Sequence, residues 1–139
     1  MTTLLGFDYG PAKIGVAVGQ TLTGTASPLE TLRAVRKQPD WVGIERLIET
    51  WKPEALVVGL PFQMDDVEAE IAGRAKRFSR QLSGRYGLPV YLVDERLTSR
   101  EAKNQAGTKI RHIEQLDAIA ATLILETWLS DRSPCRERL

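Results

Sequence analysis

Three acidic positions, far apart in the chain, are the residues best suited to chemistry: Asp8, Glu95 and Asp117. Asp8 closes an apolar run, Leu4 to Phe7, and opens a stretch punctuated by Gly10, Gly15 and Gly19. This reads as a tight hairpin whose second strand covers Ile14 to Val18. Glu95 follows Val90-Tyr91-Leu92-Val93, a run apolar enough for a strand buried on both faces. Asp94 and Glu95 then emerge at its carboxyl end, where ligands commonly gather in α/β sheets. Asp117 is followed three, four and seven residues on by Ala120, Ala121 and Ile124, which places it on the apolar face of a helix. A carboxylate there is costly unless it is protonated, paired or bound to a metal. The two alanines also let such a helix lie close to a sheet. Three separated acids converging on one point make a divalent metal site.

Taken singly, each acid has a plainer reading: a turn residue at a strand end, an exposed partner for Arg96, a helix-edge carboxylate in water. Together with the glycine hairpin and the Ala-lined helix, the metal site accounts for all three at once. Without metal, three converging carboxylates should repel one another.

The elements that must position these acids alternate along the chain, with no internal repeat and no low-complexity linker. A third strand is expected near Gly24 to Leu32, with Pro28 marking a bulge or a sheet edge. After Pro39-Asp40, the spacing of Trp41, Ile44, Leu47, Ile48 and Trp51 predicts a helix that Pro53 stops. Ala55 to Gly59 reads as a short buried parallel strand. From about Val67 to Tyr86, Ile71, Ala75, Phe78 and Leu82 make one apolar helical face, with Lys76, Arg77 and Arg80 on the far side as a solvated surface. After the strand at Val90 to Val93, Ser99 can cap a short helix that fades before Gly107. Residues 103 to 112 read as a mobile basic loop, and the last helix runs from about Ile113 to Trp128.

A chain of 139 residues has room for one substantial core, so residues 1–130 are expected to form a single domain and residues 131–139 a disordered charged tail. No apolar run approaches a membrane span, and no export signal is read at the amino terminus, which points to a soluble cytoplasmic protein. The lone Cys135, in the tail, excludes an internal disulfide and a thiolate metal cluster. His112 is the single histidine, which excludes any site needing two histidine ligands. Neither a Gly-x-Ser-x-Gly elbow nor a Gly-x-x-x-x-Gly-Lys-Ser/Thr phosphate loop is present. The formal charge of +1 decides nothing about partners, because basic residues can cluster locally in a nearly neutral chain.

Three opening strands, then alternating helices and strands, with acids on the first strand, at a later strand end and on the last helix, is the layout of the ribonuclease H-like fold. That fold is α/β, a mixed five-stranded sheet flanked by helices. Four motifs in order carry the likeness further. Phe7-Asp8-Tyr9-Gly10 with Ile14 to Gln20, Val57-Val58-Gly59-Leu60-Pro61, Asp94-Glu95-Arg96-Leu97-Thr98 and Asp117-Ala118-Ile119-Ala120-Ala121 resemble the YqgF family of pre-16S ribosomal RNA nuclease or Holliday junction resolvase-like proteins. The resemblance covers all but the tail. It implies a bacterial, metal-dependent endonuclease whose Asp8, Glu95 and Asp117 are catalytic and hold two Mg²⁺ or Mn²⁺ ions, with Asp94 as an auxiliary ligand. The implied substrate is the 5′ end of pre-16S ribosomal RNA. The alternatives are a four-way DNA junction, or a non-catalytic role in binding either nucleic acid. Lys13, Arg96, Thr98, Lys109 and Arg111 are the expected substrate contacts, Lys13 and Arg96 lying beside the acids in sequence. The expected partner is nucleic acid and not membrane, the chain acting as a monomer or weak homodimer. The chain departs from the family pattern in having Ala12 ahead of Lys13, a short loop before Asp117, and Asp66 where glycine is common.

A rival enzyme class shares the opening motif, since actin-like and sugar-kinase ATPases also begin with Asp-x-Gly hairpins that cradle phosphates. Those enzymes clamp nucleotide between two such domains, whereas this chain has room for one. A helix-borne acid such as Asp117 also suits a second metal.

Overall fold

The computed structural model describes residues 2–60, 66–94, 113–130 and 137–138. β1 (Thr3–Asp8) and β2 (Lys13–Gln20) pair antiparallel across a turn at Tyr9 to Ala12, with Asp8 directly opposite Gly15. β3 (Thr25–Arg33) pairs antiparallel with the outer side of β2 and is the edge of the sheet. Val16 pairs with Glu30 and Ala17 with Pro28, so Leu29 is the extra residue of a bulge. Pro28 thus sits both at a bulge and on an edge, the two places in a sheet where its missing N–H is tolerated.

α1 (Trp41–Trp51) begins where the Asp40 carboxylate accepts the Gly43 N–H at 3.0 Å, and it stops at Lys52, left-handed at φ 47°, just ahead of Pro53. It returns the chain to β4 (Ala55–Leu60), which lies parallel to β1. α2 (Asp66–Tyr86) makes the next crossover to β5 (Val90–Asp94), parallel to β4. α3 (Ile113–Ser130) follows, and β6 (Glu137–Arg138) pairs antiparallel with β5. The sheet order is β3-β2-β1-β4-β5-β6.

This is the expected mixed five-stranded sheet with one short strand added. The addition is made by Glu137–Arg138, within the segment expected as a charged tail, which pair with Tyr91 and Leu92. Backbone groups along the outer side of β5 would otherwise face water in a row, and two residues of the tail satisfy part of that row. The short helix expected after Ser99, the basic loop of residues 103 to 112 and His112 lie outside the described residues.

Side-chain alternation sorts the strands onto two faces. Leu5, Phe7, Ile14, Val16, Leu56, Val58 and Val90 pack with Ile44 and Leu47 of α1 and with Phe78 and Leu82 of α2. Leu4, Ala17, Ala55, Val57 and Val93 face the other way, onto Ala121, Ile124 and Leu125 of α3. The sheet is therefore sandwiched between α1 and α2 on one side and α3 on the other. Phe78 packs against Phe7, Tyr9 and Trp41 with ring centroids 5.7, 5.3 and 5.6 Å away, which ties α2 to the turn that follows Asp8. At about 1.5–3 kcal/mol per fully buried large apolar side chain, this layer holds the end of β1 firmly in place.

Candidate metal centre

β1, β4 and β5 run parallel and end level with one another. Asp8 pairs with Gly59, Gly59 with Val93, and Leu60 with Asp94. Along β1, Leu4 and Gly6 face α3, so alternation turns Asp8 toward α3 as well. Its neighbours in the row are Gly15 on β2 and Gly59 on β4. Asp8 therefore stands between two residues without side chains, and room is left above the sheet at that point.

α3 fills part of that room with Asp117. A Cβ on Gly15 would collide with the backbone carbonyl of Asp117 and fall 2.9 Å from the amide nitrogen of Ala118. The helix backbone thus rests directly on Gly15, the cross-strand partner of Asp8. This contact brings Asp8 and Asp117 to the same face at the same end of the sheet. Gly6 and Gly19 serve the same helix further along, a Cβ on Gly6 running into the Leu125 side chain and one on Gly19 coming to 3.3 Å from Leu125 and Leu129. The close approach expected from the alanines of α3 is made as much by the glycines of the sheet. A sequence signal for it exists: Gly15, Ala17 and Gly19 alternate along β2, a small-residue face at a strand's period of two.

Lys13, at the start of β2, reaches Asp117, with Nζ 3.0 Å from Oδ2. The angles at that contact fall outside hydrogen-bond geometry, and among the described residues Oδ2 accepts no hydrogen bond. The pair is charge against charge, without an aligned N–H. Its side chains are 24% and 22% exposed, too sheltered for a freely solvated surface pair and too open for a fully buried one. The carboxylate repulsion expected in the metal-free protein is therefore answered in part by Lys13. The alanine at position 12 does not keep the lysine from the acids.

These groups suit a hard divalent cation. Asp8 and Asp117 are oxygen donors on one face, and Asp117 presents a buried oxygen with no aligned donor, which a cation could take up. Among the described residues no group of three or more acidic, histidine or cysteine side chains is assembled. Glu95, the expected third acid, lies outside the described residues, as do Arg96, Thr98, Lys109 and Arg111. Asp94 ends β5 at the same edge of the sheet.

Residues 2–131 match the family model described as RuvX, Holliday junction resolvase. The chain belongs to that family. A protein of Azotobacter vinelandii called "Putative pre-16S rRNA nuclease" is 50% identical over 133 residues, covering 93% of this chain and 94% of that one. One of Pseudomonas putida with the same name is 51% identical over 131 residues, covering 91% and 93%. The YqgF resemblance read from the motifs is the same relationship. Among solved structures, Thermus thermophilus RuvC in complex with a Holliday junction superposes with a TM-score of 0.62 at 19% identity, each chain covered in full. The Fowlpox virus resolvase bound to junction DNA gives 0.51 at 7% identity, covering 93% of this chain and 99% of that one. Both likenesses confirm the ribonuclease H-like fold of this RuvX-family chain.

Proposed function

We propose that this RuvX-family chain is a cytoplasmic, metal-dependent endonuclease that hydrolyses phosphodiester bonds at the 5′ end of pre-16S ribosomal RNA. The observation that carries the reading is the seating of α3 on Gly15, which presents Asp117 beside Asp8 at the level strand ends. Glu95 follows β5 directly in sequence and completes a three-acid set, with Asp94 as an auxiliary ligand. The names of the half-identical relatives favour ribosomal RNA, and the family description favours a DNA junction as the second reading.

Two divalent ions, Mg²⁺ or Mn²⁺, would supply an activated water and stabilise the departing sugar oxygen. Asp8 at the end of β1 and Asp117 on α3 would hold these ions. Lys13 holds Asp117 in place until metal arrives and is then available to a substrate phosphate. Arg96, Thr98, Lys109 and Arg111 are further phosphate contacts in this reading. The bond broken is that between phosphorus and the 3′ oxygen, leaving a 5′-phosphate and a 3′-hydroxyl.

The test is cleavage of a structured precursor RNA and a four-way DNA junction, side by side, with Mg²⁺, with Mn²⁺ and with chelator. End analysis should find 5′-phosphates, and Asp117→Asn should abolish the cut while the fold survives. Binding of either substrate without metal-dependent strand cleavage would overturn the nuclease reading in favour of a binding factor.

A further inference from the structure

α2 carries its charge unevenly. Its first turns hold Asp66 and Glu70, whereas residues 71–86 contain Arg74, Lys76, Arg77, Arg80 and Arg85 and no acid, in a chain whose formal charge is only +1. Two of these cations are engaged: Arg74 meets Glu70 at 3.0 Å, and the Arg85 guanidinium lies 4.0 Å over the Trp41 ring. Among the described residues Lys76, Arg77 and Arg80 have no acidic partner. The helix dipole does not account for them, because it favours cations in the last turn and Arg77 and Arg80 stand more than a turn before Tyr86.

At about 100° per residue, Gly73, Arg77, Arg80 and Gly84 fall within roughly 60° of arc, opposite the buried Ala75, Phe78 and Leu82. All four are exposed. Among the described residues nothing lies within 4 Å of a Cβ placed on Gly73 or Gly84. Glycine in an exposed helix interior costs about 1 kcal/mol against alanine, and no internal contact calls for it here. The two glycines leave bare backbone before and after the arginines, so an extended partner lying along the stripe comes close to the helix. The stripe is also fixed relative to the acids, since Phe78, next to Arg77, packs against Phe7 and Tyr9, the residues on either side of Asp8. α2 lies on the α1 side of the sheet, and Asp8 and Asp117 on the α3 side. The outer face of α2 stands roughly the 10–12 Å thickness of a helix beyond the sheet, so its arginines do not share the phosphate that the acids act on. Only nucleic acid that extends well past the scissile bond, around the strand ends, reaches both.

We propose that the outer face of α2, with Arg77 and Arg80 as its contacts and Lys76 at its margin, is a second phosphate-binding surface that grips the folded part of the substrate away from the cut. It rests on the nuclease reading for its purpose but not for its chemistry, which is recognition of a sugar-phosphate backbone by exposed cations. Two arginines about one turn apart present planar forks that match phosphate oxygens.

The test measures binding of a structured precursor RNA and a four-way DNA junction over a KCl series in EDTA. The variants are Arg77→Gln and Arg80→Gln, with Lys52→Gln as a control for loss of one charge, at the exposed end of α1 and the far end of the sheet from Asp8. Each arginine replacement should flatten the slope of log affinity against log salt by roughly 0.9 on the duplex arms of the junction, and the control should keep the wild-type slope. Flattening on one probe alone supports the surface and shows which backbone it grips. Unchanged slopes on both probes, equal flattening by the control, or no binding by wild type overturns it. Wild type that cleaves with Mg²⁺ while the arginine variants keep its slope sinks the surface and leaves the nuclease. Wild type that binds with the steeper slope but never cleaves does the reverse.

Discussion

The contact between Lys13 and Asp117 sets the behaviour of the candidate centre one residue at a time. The ammonium balances the Asp117 carboxylate when no metal is present. Replacing Lys13 with Met should lower the stability of chelated protein by roughly 1 kcal/mol, between the values of exposed and buried pairs. The loss should shrink in saturating Mg²⁺, so the metal-induced rise in melting temperature should exceed that of wild type. Equal shifts would show that the lysine does not stand in for a cation. Gly15→Ala is harsher, since the added methyl collides with the Asp117 carbonyl and α3 must lift. Overpacking of this kind costs about 1–3 kcal/mol. Cleavage by the fraction that remains folded should fall too, because Asp117 moves with the helix. Denaturant melts and single-turnover cleavage on the same sample separate the two effects. The places of Asp8 at a strand end and Asp117 on the last helix were legible in the sequence, because a strand end and a helical stripe are local patterns. The role of Gly15 was not, because a glycine in a strand reads first as punctuation, and only the packed helix shows what it accommodates.

Among the elements, the strands and helices follow from sequence wherever apolar period and turn residues agree. Pro28 located the bulge, and Pro39-Asp40 and Pro53 bracketed α1. The Arg36–Lys37 turn carries none of the usual turn residues and β6 has no apolar pattern, so neither could be read in advance. Asp40→Ala removes the hydrogen bond to Gly43 N–H and should cost about 1 kcal/mol in a urea melt, with metal affinity unchanged because α1 lies on the other side of the sheet. At the far end of α2, burial and then the charge of Glu45 raise the pKa of the Tyr86 phenol, with Arg85 opposing them. A phenol whose folded pKa is raised contributes stability that is present below its unfolded value of about 10 and lost as pH rises through the folded one. Tyr86→Phe should therefore lose less stability than wild type above pH ~10, as read from urea midpoints along a pH series. Identical alkaline profiles would refute this.

For the molecule as a whole, the candidate site is shared between the sheet and α3, so metal should stabilise the fold by joining the two. Any ligand that binds only the folded state adds about 2.7 kcal/mol at a hundred times its dissociation constant. Mg²⁺ should accordingly raise the melting temperature of wild type with concentration and that of Asp117→Asn much less. A variant that responds as wild type does would remove Asp117 from the centre. No described helix is long and apolar enough to cross a membrane.

The two outer strands of the sheet also bear on how the protein behaves in concentrated solution. β3 carries a proline and a bulge, and β6 is two residues long, so neither rim offers an extended ladder on which another chain could grow. The protection at β6 is slight, resting on pairing at Tyr91 and Leu92 alone. Anything that draws the carboxyl terminus away, such as a tag fused to it, would bare the apolar strand Val90–Asp94. Turbidity and fibril formation on storage should then appear first in carboxyl-tagged protein, and an amino-terminal tag is the safer choice for handling it.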